Sequence, residues 1–133
     1  MPHPASCLLC DQQAEDAQHI LTTCVFARDF WFTILSRFGM QQHVPSIYTR
    51  SFSDWWRKSA KRAHKGKRKG FNSLVVLGAW MLWKHRNRCV FDGATPSMSE
   101  LLRTFEDELH LWGMAGARSL TSLSAGLGHG LAG

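Results

Sequence analysis

The residues best suited to chemistry stand near the start of the chain. Cys7-x2-Cys10-x8-His19-x4-Cys24 sets three thiols and one imidazole within 18 residues. Zinc takes four such ligands in a tetrahedron. A C-x2-C turn supplies two thiolates from one knuckle. A His and a Cys five positions apart at a helix start supply the other two. Four protein ligands close the site, so the metal would be structural rather than hydrolytic. It would also supply folding energy that a small acidic lobe cannot draw from its own core. The competing reading is thiols placed by chance beside a surface His, because one C-x2-C is a weak signal by itself. His3 lies on the wrong side of the knuckle, which favours His19. Cys89 is remote, on an apolar helix, and reads as a core thiol.

The second constellation is cationic. The chain has 133 residues, 16 Lys or Arg against 10 Asp or Glu, and a net charge of +6. That excess is confined to one stretch. Residues 55–91 hold eleven Lys or Arg and no acid, whereas the flanks 1–54 and 92–133 are net −2 and −3. The densest part contains Arg57, Lys58, Lys61, Arg62, Lys65, Lys67, Arg68 and Lys69. A field of one sign attracts phosphate and repels itself. Nucleic acid or another polyanion is therefore the expected partner. The alternatives are a solvated linker and a nuclear-import patch. Trp55, Trp56 and Phe71 flank the run. They fit either base stacking or, the favoured reading, core packing. Trp80, Trp83 and Trp112 read as core.

These groups need elements to position them. Apolar residues from Ile20 to Phe38 recur at three and four positions, the period of an amphipathic helix ending at Gly39. The pattern equally fits two short helices broken near Cys24. Residues 40–50 read as loop around Pro45. A second helix opens at Ser53-Asp54-Trp55-Trp56 and dissolves by Gly66. A third spans Lys69 to Phe91 and is apolar on every side from Leu74 to Trp83, which predicts a buried centre. Asp92-Gly93 and Pro96 make a turn. Ser97 and Glu100 form a capping box for a fourth helix, Met98 to about Gly113. Its acids Glu106-Asp107-Glu108 read as a solvated face. Residues 114–133 read as a disordered tail, rich in Gly, Ser, Ala and Leu. The fold class expected is mainly α: a zinc-knuckle region and first helix over 1–40, with basic and apolar helices over 51–113 packing on it.

With these residues in view, a resemblance is evident. Cys7-Leu-Leu-Cys10 followed by His19-Ile-Leu-x-x-Cys24-x-Phe26-Ala-Arg28-x-x-Trp31 resembles the zinc-binding region (zf-RVT type) of plant non-LTR retrotransposon reverse transcriptases. Trp80-x-x-Trp83-Lys-x-Arg86-Asn87-x-x-Val90-Phe91 resembles the motif that follows it there. Together they cover roughly residues 7–92. The resemblance implies metal ligation by Cys7, Cys10, His19 and Cys24, and packing roles for Trp31, Trp83 and Phe91. It also implies a retroelement origin without the polymerase, since 133 residues cannot hold one. In that family a Trp- and Lys-containing segment normally precedes the first Cys; here six residues stand before it.

Other classes are excluded or disfavoured. The longest apolar run, Leu74 to Trp83, is ten residues, and a spanning helix needs about 20. The first 30 residues show no secretory pattern, so a nuclear or cytoplasmic location is expected. An enzyme is not expected, because no acid is spaced to orient a Cys-His pair and the thiols serve better as ligands. The leading expectation is a zinc-stabilised module that binds nucleic acid through residues 55–88. A zinc-stabilised protein-interaction module and a decayed fragment without selected activity are the alternatives.

Overall fold

The computed structural model describes residue 9 and residues 19–114. A π-helical turn, His19–Thr23, leads into α1, Val25–Arg37. The break at Cys24 selects the two-helix alternative. Helix α1 ends where the sequence predicts it. Gly39 takes φ +69, its N–H donates to the Ser36 carbonyl at 3.1 Å, and the Met40 N–H donates to the Leu35 carbonyl at 2.9 Å. This is a Schellman closure, which needs the left-handed residue that glycine supplies at least cost.

Helix α2, Phe52–Arg62, begins one residue before the expected Ser53. Its N-cap is Ser51, whose hydroxyl accepts from the Asp54 N–H at 3.0 Å. A short 3-10 turn, Lys65–Lys67, turns the chain into α3, Arg68–Phe91. Helix α4 covers Met98–Met114. The predicted capping box is half formed. Ser97 Oγ accepts from the Glu100 N–H at 3.2 Å, but the Ser97 N–H donates to His85 Nε2 at 3.1 Å instead of to Glu100. The Glu100 carboxylate reaches Arg88. The box is thus redirected to fasten α4 to α3. Among the described residues there is no strand, and the expected mainly α character holds. The predicted disordered tail lies outside the described residues, apart from Met114, which ends α4.

An aromatic seam forms the core. Phe105 of α4 meets Phe30 of α1 edge-on at 5.6 Å, Trp31 of α1 meets Trp55 of α2 at 5.0 Å, and Trp55 meets Phe71 of α3 at 6.4 Å. Such contacts add to the burial of large apolar area. Trp31 is wholly buried, and its Nε1–H donates to the Leu21 carbonyl at 2.8 Å. That bond ties the π turn to α1. A side chain at Gly78 of α3 would come within 2.6 Å of the Trp31 ring. Glycine there is what lets α1 and α3 approach.

The sequence reading of α3 needs one correction. Val76 and Trp80 are 46% and 56% exposed, so the stretch Leu74–Trp83 is not buried all round. Leu74, Val75, Leu77, Met81 and Leu82 suffice to fill the space beneath it. Trp80 is therefore not core. Phe91 is 55% exposed and is not the packing residue that the resemblance implies. Trp83 and Trp112 are half-buried against the core, and Cys89 is buried as expected.

Candidate nucleic-acid interface and metal centre

The π turn places His19 and Cys24 at one junction. The Cys24 N–H donates to the His19 carbonyl at 2.8 Å, a five-residue step that widens the turn. Cys24 is the N-cap of α1, with φ −60 and ψ 135, and its carbonyl accepts from the Arg28 N–H at 2.8 Å. Arg28 Nε donates back to the Thr23 carbonyl at 3.2 Å. Both candidate ligands are buried, His19 at 4% and Cys24 at 0% exposure. His19 Nδ1 shares a hydrogen bond with Thr23 Oγ1 at 3.1 Å, which orients the ring. Leu9, between the other two predicted ligands in sequence, is buried in the core. Cys7 and Cys10 themselves lie outside the described residues. Among the described residues, no three His, Cys, Asp or Glu gather as a metal-holding group. The two placed residues, a thiol and an imidazole, are donors of the types that zinc takes.

The eight predicted cationic residues fall on α2, the 3-10 turn and the start of α3, and they have different neighbours. Arg57 and Lys58 pair with Asp54, at 2.7 and 3.2 Å. Arg68 is half-buried, with Nε donating to the Ala60 carbonyl at 2.7 Å and a terminal nitrogen to the Lys61 carbonyl at 3.3 Å. It caps the last turn of α2, where carbonyls lack helical partners. Lys61, Arg62, Lys65, Lys67 and Lys69 have no carboxylate partner among the described residues. All of these but Lys67 are exposed. Among the described residues, the fold thus leaves a ridge of charge without carboxylate partners across the α2–α3 junction. Like charges crowded on a surface raise its affinity for polyanions.

The flanking aromatics take the core role. Trp55 and Phe71 are buried, while Trp56 is half-buried with its Nε1–H donating to Asn72 Oδ1 at 2.8 Å. The sequence reading passed over Tyr48 and Arg50, which stand beside α2. The only sign of them was a loop around Pro45, and loops carry function more often than they announce it. Among the described residues, no helix is long and apolar enough to cross a membrane. No family model, curated protein or solved structure matches this chain.

Proposed function

We propose that this protein is a zinc-stabilised helical module that binds nucleic acid through the ridge at the α2–α3 junction. One observation supports this most directly. Among the described residues, Lys61, Arg62, Lys65, Lys67 and Lys69 stand without carboxylate partners, while Arg68 beside them is held by the fold. Neutralising phosphates releases condensed counterions, so affinity should fall steeply with salt. If all five cations contact a single strand, the log–log salt slope is about −3.5. Zinc would be held by Cys7, Cys10, His19 and Cys24, and would pin the N-terminal segment against α1. It has no catalytic part in this reading. The resemblance to the retroelement zinc-binding region supports the ligand set.

The test is charge reversal at Lys61, Arg62, Lys65 and Lys69, sparing Arg68 because it caps α2. Binding to a single-stranded oligonucleotide should be lost while zinc content and helicity stay unchanged. Persistence of binding would overturn the ridge. Metal analysis tests the other half: about one zinc per chain is expected, lost in Cys24→Ser together with thermal stability.

A second reading, protein interaction, has its own observation. Val76, Trp80 and Phe91 are exposed along α3, and apolar area of this kind favours association. Reduced self-association or partner binding in Trp80→Ser, with nucleic-acid binding intact, would favour it.

A further inference from the structure

Residues 42–50 pass beside α2 and leave a cleft of about 290 Å³ between loop and helix. That lies near the lower edge of small-ligand pockets, roughly 300–1,000 Å³. The helix wall is one face of α2, carrying Asp54, Lys58 and Arg62 at four-residue steps. Arg50 faces them from the loop side of the lining. The single carboxylate is already neutralised. Lys58 and Arg57 hydrogen-bond to Asp54 and hold its carboxyl below the usual range. Arg50 and Arg62 have no carboxylate partner among the described residues, so the cleft is net positive.

The floor and the rim differ in character. His43 lines the floor, 5% exposed, with its ring 5.4 Å from Phe71. Burial, and then the charge of Arg62, hold its imidazole below the ordinary range. The floor is therefore neutral, and the cations stand around it. Trp55 closes the floor, its Nε1–H donating to the His43 carbonyl at 2.6 Å. At the rim stands Tyr48, 85% exposed, an aromatic ring that folding does not bury. An exposed ring beside fixed cations offers a stacking surface next to a phosphate seat.

We propose that this cleft seats one phosphorylated nucleotide of a single strand. Its phosphate is held by Arg50, Lys58 and Arg62, and its base stacks on Tyr48. The proposal rests on the nucleic-acid reading above and refines it. Arg62 belongs to both surfaces, so a strand leaving the cleft runs onto the ridge at Lys61 and Lys65.

The experiment uses the full chain and a fluorescein-labelled oligouridylate followed by anisotropy. Tyr48→Ala should weaken binding roughly tenfold and leave the salt slope unchanged, as loss of one stacked base does. Arg50→Gln should weaken it comparably and reduce the salt slope by about 0.7. If Lys65→Glu/Lys69→Glu weakens binding while Tyr48→Ala and Arg50→Gln stay within about twofold of the original chain, the ridge stands and the cleft proposal is overturned. If no oligonucleotide binds, the ridge reading fails, and the cleft is judged by mononucleotide titration in NMR. Shifts at Tyr48 and at the Arg50 side chain with uridine 5′-monophosphate, larger than with inorganic phosphate and absent with uridine, support the seat. Equal shifts with inorganic phosphate, or none with the monophosphate, overturn it.

Discussion

The two ends of α3 carry the same kind of side chain and use it differently. At the C-terminal end, Arg86 lies over the Trp83 ring at 5.1 Å and bonds Asn87 Oδ1 at 2.9 Å. Arg88 pairs with Glu100 of α4, and Lys84 stands over Trp80 at 5.9 Å. Every cation there has a local role. At the N-terminal end, among the described residues, only Arg68 does, as the cap of α2. A neighbouring helix makes the difference. Helix α4 brings an acid, Glu100, to one end. Near the other end, Asp54 of α2 is the acid at hand, and it serves Arg57 and Lys58. The net charge of residues 55–91 therefore does not measure the charge available to a ligand.

The contrast can be broken by mutation. The largest expected effect on stability is at the C-terminal end. Arg86 is 5% exposed, and Arg86→Ala should cost about 2 kcal/mol through lost packing and cation–π contact, read by denaturant unfolding. Lys65→Glu/Lys69→Glu at the other end should change stability by less than about 0.5 kcal/mol. Equal losses at both ends would erase the distinction.

Acid should act at the C-terminal end next. His85 is buried, stacks on Phe26 at 5.6 Å and accepts the Ser97 N–H through Nε2. Burial lowers its pKa most; Glu100 opposes the drop and Arg88 adds to it. A lowered folded pKa means that the unfolded chain takes the proton more readily. Stability is therefore full above about pH 6.5 and is lost as pH falls below it toward the folded value. Tm measured from pH 7.5 to pH 5 should decline, and His85→Gln, which keeps an acceptor without a titrating ring, should flatten the decline. An unchanged slope would remove His85 from the account.

A loss between those at the two ends sharpens the exception. Arg68→Ala leaves two carbonyls of α2 without their cap and should cost about 1 kcal/mol. It should also weaken oligonucleotide binding less than Lys69→Glu does.

Much of the helical frame was legible locally. Gly39, Ser97 and the three- and four-residue apolar spacing marked termini and inward faces, because caps and periodicity act over one or two turns. The candidate metal ligands are a reading of spacing alone; of the four, the described residues include His19 and Cys24, joined by one backbone hydrogen bond at the π turn. What was not legible depended on distant partners. The exposure of Trp80 depends on how much of α3 its neighbours cover. The diversion of the Ser97 N–H depends on His85, twelve residues away. The Tyr48–Arg50 wall of the cleft gains meaning only because α2 lies against it.

By itself, the sequence determined that the chain is mainly helical, that α1 closes at Gly39 and α4 opens at Ser97, and that all the positive excess lies between residues 55 and 91. Those properties are written in adjacent residues and in composition. Only the tertiary structure decided which cations are engaged and which stay available. Pairing is a matter of distance in space, and Coulomb and hydrogen-bond contacts act over a few ångströms whatever the separation along the chain.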